Sequence, residues 1–298
     1  MAQRGTKKIA FGWYGGKYSH LGWLLPLLPS ATHYCEPFGG SAAVLLNRPP
    51  APVETYNDLD SEVVNFFRVL RDQQDALIQS IGLTPFAREE LRLASQEDVD
   101  GLSDLERARR FFVRARQVRT GLAQTASEGR WAHCLLTSRA GMGGAVSRWL
   151  GSVEGLSEIV QRLLRVQIEN APALEVIRRY DSPETLFYCD PPYVHAARGD
   201  AKAYGFEMTD QEHEALAGVL VRARGKVAVS GYASSLYEDL YAGWTRLEAP
   251  TRMIHSSKGA RTEVLWVNYD LPAGALRPPG KPGETAEEWT PEHSLFAQ

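Results

Sequence analysis

Short apolar runs alternate with longer amphipathic stretches along most of the chain, the alternation expected of an α/β fold built on an open sheet. A glycine-rich loop at 11–17 precedes an apolar stretch at 21–28 that starts as a helix, and His33-Tyr34-Cys35-Glu36 reads as a short strand. A helix beginning near Ser41 carries Ala42, Ala43, Val44, Leu45 and Leu46. A strand at 53–56 leads into a helix at 61–80, with Asp60 as its N-cap and Val63, Val64, Phe67 and Leu70 on one face. From about 84 the pattern changes. A helix at 105–119 turns Phe111, Phe112, Ala115 and Val118 inward, and 120–147 is rich in Gly, Ser, Thr and Arg without a clear period. The alternation then resumes with a strand at 165–169, a helix at 173–180 and a strand at 186–189. A capping box, Thr209-Asp210-Gln211-Glu212, opens a helix that ends near Arg224, with strands at 226–230 and 262–269 after it. The expected organisation is an α/β domain from 1–84 and 155–270, an inserted, mainly helical subdomain at 85–154, and a proline-rich disordered tail at 271–298.

Composition narrows the class without deciding it. The chain has 298 residues, 44% of them hydrophobic and 23% charged, as in ordinary globular proteins with an ample core. No secretory signal opens the sequence and no apolar run reaches membrane-spanning length, so a cytoplasmic protein is expected. Cys35, Cys134 and Cys189 are odd in number and lack ligand spacing, and the histidines form no metal-binding pattern; neither disulfides nor a metal site are expected. The net charge of −3 does not point to nucleic acid, but its distribution does. Arg107, Arg109, Arg110, Arg114, Arg116, Arg119, Arg130, Arg139 and Arg148 lie between Leu105 and Leu150, against only Glu106 and Glu128. Such a cluster is either a solvated helix face or a face that contacts phosphates.

Three stretches carry candidate chemistry. Asp190-Pro191-Pro192-Tyr193 follows the apolar run Leu186-Phe187-Tyr188-Cys189. Proline fixes φ and lacks an N–H, so the carbonyls of Asp190 and Pro191 are not taken up by a following helical turn. A carboxylate beside a bare carbonyl suits a planar group carrying an NH2, with Tyr193 stacked on its face; a plain turn after a strand is the other reading. Glu36-Pro37-Phe38-Gly39-Gly40 lies between a strand and a helix, where open α/β sheets bind ligands. Asp58, twenty positions after Phe38, suits the hydroxyls of a ribose, or else caps a helix. Trp13-Tyr14-Gly15-Gly16-Lys17 offers a ring and a lysine that can meet a carboxylate, or is simply a turn with a surface lysine.

In this order, those stretches resemble the Dam-type family of DNA adenine methyltransferases. Asn57-Asp58, Gly225-Lys226-Val227-Ala228-Val229-Ser230-Gly231-Tyr232 and Arg261-Thr262-Glu263-Val264-Leu265-Trp266 add to the resemblance, which runs to about Asp270. It implies a Rossmann-like methyltransferase sheet flanked by helices, S-adenosylmethionine as methyl donor and double-stranded DNA as substrate. It places Trp13, Lys17, Asp58 and Asp190 at cofactor-contacting positions, and with them Tyr14, Gly16, Glu36, Phe38, Gly39 and Gly40 of the same loops. Asp190, Pro191, Pro192 and Tyr193 would form the catalytic loop. The inserted segment would be the target-recognition region, with Arg114, Arg116, Arg119, Arg130, Arg139 and Arg148 on DNA. The chain departs from the family at Ala42, where glycine is common, and at Tyr14, where proline or alanine is. The Ala42 methyl would crowd the cofactor and Tyr14 would alter loop closure, with modest effects on affinity.

The implied reaction transfers a methyl group to the exocyclic amine of a flipped adenine, without a metal or a covalent intermediate. Attack on the cytosine ring would need a cysteine, usually after a proline; here the cysteines follow Tyr34, His133 and Tyr188. Methylation of the cytosine amine and a DNA-binding protein with a decayed cofactor site are the alternatives. A nicotinamide oxidoreductase lacks its glycine fingerprint here. A monomer of bacterial or phage origin is expected, with a restriction endonuclease partner left open.

Overall fold

The computed structural model describes residues 7–13, 15–96, 100–139, 141–194, 207–250 and 262–275. Tyr14, Arg261 and residues 276–298 of the expected tail lie outside the described residues.

In chain order the first elements are α1 (Leu21–Leu24), β1 (His33–Glu36), α2 (Ala43–Asn47), β2 (Val53–Asn57) and α3 (Ser61–Asp72). Asp60 caps α3 as expected, its side chain accepting from the Glu62 N–H. The helix expected at 61–80 is broken at Gln73, whose φ of −131° leaves the helical region, and continues as α4 (Gln74–Gly82). The break lets α4 turn Leu77 and Ile81 into the core. Next come α5 (Arg88–Ala94), α6 (Asp104–Gln117), a two-residue hairpin of β3 (Ser138–Arg139) and β4 (Met142–Gly143), α7 (Gly144–Glu154) and α8 (Leu156–Leu163). The remainder is β5 (Val166–Glu169), α9 (Ala173–Tyr180), β6 (Thr185–Cys189), α10 (Asp210–Leu220), β7 (Lys226–Tyr232), α11 (Ser235–Leu240), β8 (Thr245–Glu248) and β9 (Glu263–Val267).

The main sheet has the order β5-β2-β1-β6-β7-β9-β8, with β9 antiparallel to both neighbours and the other strands running in one direction. After β5 the chain crosses back over β1 to form β6, so the strand order reverses at β1 and β6. That reversal opens a crevice at the carboxyl ends of these strands. Period-two alternation splits the sheet between two cores. Tyr34, Tyr56, Leu186, Tyr188 and Ala228 pack in the core shared with α3, α6 and α8, while Cys35, Phe187, Cys189, Val227 and Val229 pack in the core shared with α9 and α10.

Residues 85–154, expected as an inserted subdomain, share the core with residues on either side of them. α6 lies along α3, with Phe112 stacked on Phe66 at 5.7 Å and Phe111 edge-on to Phe11 at 5.0 Å. Trp149 of α7 joins the same cluster. One apolar core therefore runs through residues on both sides of the boundary expected at 84–85.

A buried ion pair sets the position of α2. Arg162 of α8 pairs with Glu54 of β2 through both guanidinium Nη atoms, and donates to the Leu45 carbonyl of α2 at 3.0 Å. Glu54 also accepts from the Ala51 N–H at 3.0 Å. Breaking such a pair leaves a charge buried without its partner, so Glu54→Ala should cost about 3–5 kcal/mol in urea unfolding. Glu54→Leu combined with Arg162→Met should recover most of that loss; a cost below about 1 kcal/mol for the single change would mean the pair does not hold α2.

Candidate active site

β1 ends in Glu36, β2 and β6 are followed at once by Asp58 and Asp190, and the turns after them close around a cavity of about 520 Å³. Trp13, Gly16, Lys17, Glu36, Phe38, Gly39, Gly40, Asp58 and Asp190 all line it, although they come from four separate stretches of chain. Pro172, Leu174, Met208 and Leu216 add apolar wall from the turns and helices on the other side. Pro192 also lines the cavity; Pro191 and Tyr193 do not.

The glycine loop is shaped by close contacts. A Cβ on Gly39 would lie 2.2 Å from the Tyr56 ring, and one on Gly40 would lie 2.5 Å from the Trp13 indole, where φ is also +48°. Only glycine fits either place. The Gly40 N–H donates to Asp58 Oδ2 at 2.8 Å, and Tyr56 donates to the Gly40 carbonyl at 2.8 Å. Two asparagines unmarked in the sequence reading as site residues hold the neighbouring turns. Asn57 donates to the carbonyls of Pro37 at 2.8 Å and Ala171 at 3.0 Å and accepts from the Ala171 N–H. Asn170 donates to the Asp58 carbonyl at 2.8 Å. Asn57 sits beside Asp58 in a stretch already singled out; no local signal marks Asn170.

Ala42 does not line the cavity. It is fully buried with φ +54°, the left-handed conformation that costs an L-residue roughly 1–2 kcal/mol. The departure from glycine here therefore bears on backbone strain at the start of α2, and the expected crowding of a ligand is not what its position shows.

Lys17 is buried, 3% exposed. Its Nζ donates to Asp190 Oδ1 at 2.6 Å, to Asp190 Oδ2 at 2.7 Å and to the Gly15 carbonyl at 2.7 Å. Glu263 Oε1 of β9 lies 3.4 Å away and accepts from the Tyr193 hydroxyl at 2.6 Å. The carboxylate that Lys17 meets is thus the protein's own. Burial would lower the Lys17 pKa, but Asp190 and Glu263 outweigh it and raise it, so the ammonium is retained. Burial raises Asp190, and Lys17 pulls it back.

Tyr193 is packed with Lys17 Nζ 4.9 Å from its ring centroid and Tyr232 edge-on at 4.6 Å. In this conformation it holds the lysine–carboxylate cluster; the stacking expected of it requires its face to be uncovered. Glu263 belonged to a stretch of the resemblance but had no role assigned, because its strand pairs with β7 only through the tertiary fold. Cys35 and Cys189 are buried, and burial pushes both thiols up, away from nucleophilic form.

The arginines separate into two groups. Arg107 and Arg114 pair with Glu62, Arg109 with Glu90 and Glu106, and Arg110 with Glu106. Arg114 also donates to the Ala94 carbonyl, and Arg116 donates to the carbonyls of Ala10 at 2.7 Å and Ile9 at 3.2 Å. Arg114 and Arg116, expected on DNA, are half-buried, and these contacts orient both guanidiniums against the fold. Arg119, Arg130, Arg139 and Arg148 are exposed.

A family model described as D12 class N6 adenine-specific DNA methyltransferase matches residues 13–255. The chain belongs to that family. It is an adenine-specific DNA methyltransferase, and its sheet is the Rossmann-like sheet of such enzymes. Similar to it is the type II methyltransferase M1.LlaDCHI of Lactococcus lactis subsp. cremoris, 27% identical over 86% of this chain and 94% of that protein. A DNA adenine methylase of Vibrio cholerae serotype O1 is 25% identical over 78% of this chain and 83% of that one. Among solved structures, the rRNA methyltransferase aviRa from Streptomyces viridochromogenes covers 82% of this chain and 80% of its own at 14% identity, with a TM-score of 0.37. A likeness at that level carries no argument about this methyltransferase. No helix among the described residues is long and apolar enough to cross a membrane.

The methyltransferase cavity is lined by acids whose protonation depends on folding. Burial raises Glu36 to about 8, although Tyr34 donates to it at 2.6 Å, and raises Asp58 to about 6. Both folded values exceed the unfolded ones, so the folded state binds more protons. Stability is then highest below about pH 4.5 for these two groups and falls as pH rises toward 8. Urea unfolding at a series of pH values should show this decline, and Glu36→Gln should flatten most of it, by a few kcal/mol at its upper end. Parallel curves for the two proteins would mean that Glu36 is ionised throughout.

Proposed function

We propose that the cavity binds S-adenosylmethionine and that the enzyme methylates the exocyclic amine of an adenine flipped out of double-stranded DNA. The observation that carries this reading is the lysine-held Asp190 at the end of β6, facing the same cavity as Asp58 and the glycine loop. The residues present fit the cofactor. Asp58 and Asp190 are carboxylates at neutral pH, which favours a sulfonium and an ammonium, Glu36 is held as a neutral acid, and the apolar side chains of Phe38, Leu174, Met208 and Leu216 suit a purine. Asp58 keeps lone pairs beyond those taken by the N–H groups of Gly40 and Asp60, as binding a ribose would require. When bound, the cofactor supplies an electrophilic methyl group.

The protein's part is to prepare the amine. The lone pair of the adenine amine is delocalised into its ring, so the nitrogen is a poor nucleophile. Asp190 Oδ and the Pro191 carbonyl accept its two N–H bonds and draw the nitrogen toward a tetrahedral form. Lys17 fixes the carboxylate for that task, and Glu263 and Tyr193 fix Lys17. The proton lost from the methylated amine passes to Asp190, whose proton affinity burial raises. Flipping costs a few kcal/mol, offset by phosphate contacts and by stacking on Tyr193 once its face is uncovered. Residues 85–154 form the target-recognition region, with Arg119, Arg130, Arg139 and Arg148 as the arginines left exposed to meet DNA. The likeness to a type II methyltransferase favours a role beside a restriction endonuclease.

The deciding experiment is transfer of a labelled methyl group from S-adenosylmethionine to unmethylated DNA, with nucleoside mass spectrometry of the digest. Methyl on the adenine amine is expected. Asp190→Ala should lower kcat by at least about 10³-fold with its circular dichroism unchanged; activity within tenfold of wild type would sink the role given to Asp190.

A further inference from the structure

A second cavity, of about 270 Å³, opens on the inserted segment away from the acidic one. Its walls include Arg116, Arg119, Gly121, His133, Ala145 and Arg148. The charge around it is unlike that along the rest of α6. Arg107, Arg109, Arg110 and Arg114 each have a glutamate partner, whereas among the described residues no carboxylate pairs with Arg116, Arg119 or Arg148. Arg116 is the most telling of them. Its Nε and Nη2 donate only to the main-chain carbonyls of Ala10 and Ile9, which orient the guanidinium without neutralising it. Burial pulls this guanidinium down to about 10, so it stays charged at neutral pH. Arg119 likewise donates to a carbonyl, that of Gly129 at 2.9 Å. The first turn of α7 reaches the same cavity at Ala145, and no side chain caps that helix end. Three guanidiniums without a carboxylate partner among the described residues, around one polar cavity beside the first turn of α7, are complementary to a compact oxyanion.

The cavity is also tied to the active site. Arg119, Thr120 and Gly121 line it, and Gln124, three residues on, lines the acidic cavity. The same loop abuts the strand of chain before Trp13, since a Cβ on Gly12 would lie 2.7 Å from the Gly121 carbonyl. We propose that this cavity is a phosphate site that takes one backbone phosphate of the DNA next to the target adenine. The inference rests on the reading of residues 85–154 as the DNA-contacting region. It would let a single phosphate fix the distance between the duplex and the loop that borders both cavities. A free phosphate ion has the same chemistry, so the test must separate the two sources.

The test measures affinity for an unmethylated duplex by fluorescence anisotropy between about 50 and 200 mM salt, with wild type, Arg119→Gln, Arg148→Gln and Arg139→Gln. Arg116 is left intact because it holds the main chain at residues 9–10. Thermal unfolding with inorganic phosphate, against chloride at matched ionic strength, is run beside it. Each cavity variant is expected to reduce the slope of log affinity against log salt by about 0.9, so that its deficit relative to wild type shrinks roughly threefold across that range. The phosphate-dependent rise in Tm is expected in wild type and lost in Arg148→Gln. Unchanged slopes in both cavity variants with a reduced slope in Arg139→Gln would overturn the phosphate site and leave the DNA path over residues 85–154 standing. Unchanged slopes in all three would overturn that path as well. A phosphate-dependent rise in Tm with unchanged slopes would assign the cavity to a free anion and overturn the DNA phosphate.

Discussion

The ion pair between Lys17 and Asp190 is the constraint around which the rest of the site is arranged. It joins positions 173 residues apart, one on the loop before β1 and the other at the end of β6. A buried pair of this kind is worth little unless its remaining donors and acceptors are satisfied. Here the third donor of the ammonium goes to the Gly15 carbonyl, and Glu263 adds a second carboxylate from β9. Closing the N-terminal loop over the cavity and fixing the orientation of Asp190 are therefore one event. Trp13 and Gly16 come with Lys17, and the indole settles on Gly40 because glycine leaves it room.

That arrangement gathers acids where hydrophobic burial alone would exclude them. Glu36, Asp58, Asp190 and Glu263 come from four strands or strand ends that converge at the switch in strand order. Burial raises the pKa values of Glu36, Asp58 and Asp190, a cost to stability at neutral pH.

Arginine shows the opposite division of labour. On α6 the side toward α3, α4 and α5 uses guanidiniums as structural ties to glutamates and carbonyls. Past the end of that helix the pairing stops, and Arg119 and Arg148 stand with Arg116 around a polar cavity. A count of arginines along the chain merges these two uses, because charge density in sequence does not report which side chains already have partners.

The strands were legible as apolar runs between turn formers, and β1 and α9 fall where the pattern predicted them. The Asp60 cap and the Thr209 capping box were legible because their chemistry is local. Helices α5, α7, α8 and α11 and strand β8 were not, since the tertiary core decides the conformation of short or weakly periodic stretches. By itself the sequence determined the alternation of elements, the glycine loop and the acid-proline-proline-tyrosine turn, all of which depend on neighbours within a few positions. Only the tertiary structure decided that Lys17 answers Asp190, that Glu263 supports both, and that Arg116 faces a cavity without a carboxylate. Those facts depend on which distant segments the sheet brings together, and the partners of a buried charge are settled only when it is buried.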